Sequence, residues 1–155
     1  MFEFLLKPRI NLASAVLRLT LAAIFLLHGY SELVVGPYGN WWRDWWYQFV
    51  YIVAGIELAA GVALILGLLS RLVALVLAGM QVGAIVLVTG DEFIKFAMRR
   101  RQGTGPERET LELAVGFEFN VALIAMCLAV VLLGSGTLSL DHFFRTYKKK
   151  PTPAA

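Results

Sequence analysis

The stretch from Val53 to Arg71, VAGIELAAGVALILGLLSR, decides the fold. It is apolar enough to cross a membrane, yet it carries one carboxylate, Glu57, among glycines and alanines. An ionisable group in the middle of a spanning helix costs roughly 2.5–3.5 kcal/mol on insertion scales, so it needs a partner or a water-filled cavity. What Glu57 faces is the question the rest of the chain must answer.

Outward from that stretch the same apolar character continues. The chain has 155 residues, 59% of them hydrophobic and 16% charged, with a mean hydropathy of +0.71. An average soluble domain is about 25% charged. Several apolar runs approach or exceed the ~20 residues that cross a bilayer core. Spans are predicted over residues 12–35, 49–69, 72–89 and 110–133, with a tail over 142–155. The expected fold class is all-α: an integral membrane four-helix bundle with short interfacial helices. It forms one domain over 1–155, with no room for a soluble one. The opening residues do not read as a cleaved signal peptide, because Lys7 and Arg9 follow a short apolar patch instead of preceding one. They are expected to form an amphipathic lead-in.

Composition excludes several function classes. The net charge is +3, but Lys and Arg at helix ends serve topology and anionic headgroups, so nucleic-acid binding is not expected. A lone cysteine, Cys127, rules out an intrachain disulfide or dithiol pair. With His28 and His142 as the only histidines, a structural zinc site lacks ligands. No haem ligand pair, flavin signature, CxxC motif or Gly-x-Gly-x-x-Gly is present.

The connections carry the remaining signals. Trp41, Trp42, Trp45, Trp46 and Tyr47 form an aromatic cluster suited to a headgroup boundary. Gly79 and Gly83 make a Gly-x-x-x-Gly pair that permits close helix approach. The long connection after Gly90 holds Arg99, Arg100 and Arg101, a docking site for headgroups or for an acidic protein partner; the lysines Lys148 to Lys150 are a second such site. Lys and Arg by side are Lys7, Arg9, Arg18, Arg71, Arg145, Lys148, Lys149 and Lys150 against Arg43, Lys95, Arg99, Arg100, Arg101 and Arg108, eight against six. The positive-inside rule then places both termini in the cytoplasm. Arg18, within the first span, is expected to snorkel to the nearer interface.

Depth brings the polar residues of the spans together. At ~1.5 Å rise per residue, His28 lies ~10 Å and Glu57, Gln81 and Glu118 each ~12 Å below the outer helix ends. Each helix thus contributes one polar group to a single layer, with Glu32 just above and Asn120 just below. His28 and Glu32 are four apart and share a helix face. In hydrocarbon such groups must satisfy one another or line a cavity. The layer is therefore a structural hydrogen-bond network, a ligand or proton-transfer site, or a cation site, although nothing in the spacing requires a metal. Cys127 is expected to be a small buried hydrophobe.

Three segments resemble the DoxX family of small bacterial four-helix membrane proteins. They are Arg18 followed by His28-Gly29; Gly55-x-Glu57 through Gly61 and Gly67 to Arg71; and Gly134-x-Gly136-x-x-Ser139-Leu140-Asp141. The sequence departs from that pattern at Glu32, where the family often has lysine, and at Ser135, where proline is common. The resemblance implies a redox-associated subunit of a bacterial plasma membrane, because relatives include part of a thiosulfate:quinone oxidoreductase. On that reading quinone meets His28, Glu57 and Glu118, and a partner carries the electrons. Other relatives tether soluble redox or stress-defence enzymes, so a non-catalytic membrane scaffold is the alternative.

Overall fold

The computed structural model describes residues 9–35, 46–90, 94, 95, 97, 98, 102, 103 and 108–147. The lead-in before Arg9, the aromatic residues Trp41, Trp42 and Trp45, the arginines Arg99 to Arg101 and the tail from Lys148 lie outside them.

Five helices account for the described chain: α1 (Ile10–Val35), α2 (Trp46–Leu66), α3 (Ser70–Ala84), α4 (Arg108–Leu133) and α5 (Leu140–Tyr147). α3 continues as a wider π-helical turn over Ile85–Thr89. Four of these elements are long and apolar enough to cross a membrane: Ile10–Val34, Phe49–Leu66, Ser70–Leu87 and Val115–Leu133. The chain is a multi-pass membrane protein with an all-α fold. Only 17–33% of each span is buried within the bundle, so most of each apolar surface is left to lipid.

Glycines end the spans. After Leu66 the Gly67 amide donates to Leu64 O and the Leu68 amide to Ala63 O. That pattern needs a left-handed residue just past the helix, and Gly67 supplies it with φ +67°. α4 stops the same way at Gly134, φ +77°, whose amide donates to Val130 O. The second span thus ends at Leu66, three residues earlier than expected.

The most extensive helix contacts are α1 with α2 and α3 with α4; α1–α4 and α2–α3 contacts complete the ring. Leu21 and Phe25 of α1, Leu64 of α2, Leu77 of α3 and Leu123, Cys127 and Val130 of α4 meet in the core. Cys127 is the small buried hydrophobe its surroundings predict. The α1–α2 crossing is tight at Gly29, where a Cβ would lie 2.8 Å from Ala54 O and 3.1 Å from Glu57 Cβ. Gly79 and Gly83 do not serve such an approach among the described residues: nothing there lies within 4 Å of a Cβ at either.

Candidate functional site

The tight α1–α2 crossing sets His28 beside Glu57. The ring Nδ1 lies 3.2 Å from Glu57 Oε2, a hydrogen bond that the imidazole donates when Nδ1 carries the proton. Glu32, one turn on, brings Oε1 to 3.7 Å from the same Nδ1. The three side chains differ sharply in exposure. Glu57 is 4% exposed, Glu32 19% and His28 55%. A carboxylate sealed between helices therefore backs an imidazole that half emerges on the bundle surface. The other Glu32 oxygen, Oε2, is buried with no hydrogen-bond partner among the described residues. The three donor atoms lie within 4.8 Å of one another, so the same group has the donor types and spacing to hold a divalent cation.

The structure does not bring the rest of the expected layer to this cluster. Gln81 is buried in α3 but makes no hydrogen bond to it. Asn120 is half-buried on α4, and Glu118 is exposed. The reason is azimuth. Leu123 faces the core. Five residues back, at ~100° each, Glu118 lies ~140° around the helix from it and points outward. Depth along a helix and direction around it are independent coordinates, and only the first was shared.

A second constellation occupies the opposite end of the bundle. Arg18 is 2% exposed, so it does not snorkel. Its guanidinium donates to Leu64 O at 3.0 Å and Leu138 O at 2.6 Å, tying α1 to the end of α2 and to the segment after α4. Two backbone carbonyls, one near the end of α2 and one just before α5, accept from the guanidinium in place. Ser14 donates to Gly134 O. Asp141 accepts from the amides of Leu69 (2.8 Å) and Ser70 (3.1 Å) and so caps the start of α3. Its own amide donates to Gly67 O. Ser139 caps α5, accepting from the His142 amide at 3.2 Å.

A scan against protein-family models matches residues 13–90 to DoxX. The chain belongs to the DoxX family. No curated protein and no solved structure gives a match. The matched region takes in Arg18, Gly29, Glu57, Gly61, Gly67 and Arg71 together with His28 and Glu32. In this DoxX protein those residues divide into two sets. Gly29, His28 and Glu57 make the tight crossing and its polar dyad. Arg18 and Gly67 work at the other end, against Gly134, Gly136, Ser139 and Asp141 from beyond the matched region. α5 itself was missed in the sequence. Its signal is present, however: Leu140, Phe143, Phe144 and Tyr147 at i, i+3, i+4 and i+7, behind the Ser139 cap.

Proposed function

We propose that this DoxX protein is a redox-associated subunit of a bacterial plasma membrane, with both termini cytoplasmic, that meets a lipid-soluble quinone at His28. The observation that carries this reading is the half-exposed imidazole held by a buried carboxylate within a membrane-spanning helix. A bound quinone supplies two-electron, two-proton chemistry. The chain's own residues would supply position and protons. Glu57 fixes the ring by accepting a hydrogen bond from Nδ1–H, which leaves Nε2 for a partner arriving through lipid. A neutral ring accepts a hydrogen bond at Nε2, and an imidazolium donates one. Glu32, beside the same Nδ1, is placed to balance the imidazolium charge. Electrons must come from a partner, since the sequence carries no dinucleotide or dithiol motif.

The test is turnover of the parent complex with quinone. His28→Ala and Glu57→Gln should each abolish quinone-dependent activity while the complex still assembles; unchanged turnover with intact assembly would sink the proposal. The alternative is a non-catalytic membrane scaffold. On that reading a soluble redox enzyme docks outside the described residues. Changing Arg99, Arg100 and Arg101 to Ala would then lose a co-purifying protein, and Glu57→Gln would affect stability alone.

A further inference from the structure

At the Arg18 end of the bundle a cleft of about 570 Å³ opens between the α2–α3 turn, the segment after α4 and α5. Arg71 of α3 and Arg145 of α5 line it together with His142, and Ser135 and Thr137 add hydroxyls. Arg71, Arg145 and His142 are all exposed. Among the described residues no carboxylate lies within 4.0 Å of either guanidinium. Asp141, the acid in the wall, already accepts two backbone amides. The cleft is thus a basic concavity with spare donors.

Its surroundings are apolar. Leu69 and Leu72, which also line the cleft, are 58% and 57% exposed. α5 buries none of its residues, and Phe143, Phe144 and Tyr147 of its apolar stripe are 51–71% exposed. A short helix with one apolar face and one polar face, set at the end of spanning helices, lies along the membrane surface. The concavity therefore sits where headgroups meet water, with leucines on the side where acyl chains would run.

We propose that this cleft binds the phosphate of an anionic membrane lipid, held between Arg71 and Arg145 with its chains against Leu69 and Leu72. Each arginine near an anionic headgroup strengthens binding, whereas a zwitterionic headgroup, with the same phosphate, brings a quaternary ammonium that the two guanidinium groups repel.

The test uses the full chain in dodecyl maltoside, with lipid adducts read by native mass spectrometry and stability by thermal unfolding. Phosphatidylglycerol should be retained roughly ten- to thirtyfold better than phosphatidylcholine, falling to near parity in Arg71→Gln/Arg145→Gln. Phosphatidylglycerol should also raise the unfolding temperature where the same concentration of inorganic phosphate does not. Equal retention of the two lipids, or undiminished phosphatidylglycerol binding in the double variant, would overturn the proposal. So would a matching shift with inorganic phosphate, which would make the site one for free phosphate. If the double variant does not fold, Arg145→Gln alone, on a helix with no buried residue, gives the same comparison with a smaller loss.

Discussion

Removing the Arg18 guanidinium would strip Leu64 O and Leu138 O of a charged donor, while Leu64 O keeps the Gly67 amide. A hydrogen bond from a charged donor contributes about 1.5–3 kcal/mol. Arg18→Leu should therefore lower the thermal unfolding midpoint sharply, whereas Arg18→Lys, keeping the charge but not the fork, should fall between the two. Equal midpoints for Arg18→Leu and the parent chain would show that the buried bonds contribute nothing. The same scale holds the test of what His28, Glu32 and Glu57 do. Metal analysis of the purified chain should find no stoichiometric divalent ion, as proton transfer between neighbouring side chains needs none. A bound ion that disappears in Glu32→Gln would make the trio a metal centre. Residue types alone left these roles open. A His and two Glu at related depths could belong to a network, a proton path or a cation site, and the 3.2 Å contact narrows only which of them touch.

At the scale of the element, the turn between α2 and α3 is set by backbone geometry. Gly67 has φ +67°, and a Cβ there would come 2.8 Å from Ser139 Cα. The left-handed conformation alone costs roughly 1–2 kcal/mol for a residue with a side chain, and the collision adds to it. Gly67→Ala should destabilise the bundle by more than that backbone figure, read as a drop in unfolding temperature. A control, Gly79→Ala, has open space around it and should change little. Asp141→Ala should lose about 1 kcal/mol through the uncapped start of α3, and Asp141→Asn, which keeps one acceptor, less. Of these features the stop at Gly134 was legible in the sequence, since it closes a long apolar run at the predicted end of its span, whereas the stop at Gly67 was hidden because the apolar residues Leu68 and Leu69 continue past it. The cap was not legible either. Asp141 lies 71 residues from Ser70, and nothing local says which amides it will meet.

For the whole molecule, the four spans place the start of α1 and α5 at one end and the close of α1 at the other. The contacts of Ser14 with Gly134 and of Arg18 with Leu138 hold the first pair together. Cysteines introduced by Val34→Cys and Arg145→Cys should react with an impermeant thiol reagent from opposite sides of a sealed membrane. Cys127, fully buried, should stay unlabelled and serve as the internal control. Labelling of both sites from one side would refute four crossings. The large lipid-facing fraction of each span also explains why the exposed leucines and valines need no soluble partner: lipid is their solvent.

Composition and hydropathy by themselves determined the class, the number of spans and their ends within a few residues, because a bilayer demands a fixed length of apolar helix whatever it packs against. The sequence also singled out Glu57 and His28, since charge in hydrocarbon is conspicuous wherever it occurs. Only the tertiary structure decided the company each polar group keeps. Glu57 joins His28 because Gly29 lets two helices close; Glu118, at the same depth, turns outward; and Arg18 stays buried because helix ends from distant parts of the chain bring it two carbonyls. Those choices depend on rotation about helix axes and on contacts between residues 29 to 120 apart, neither of which depth along one helix records.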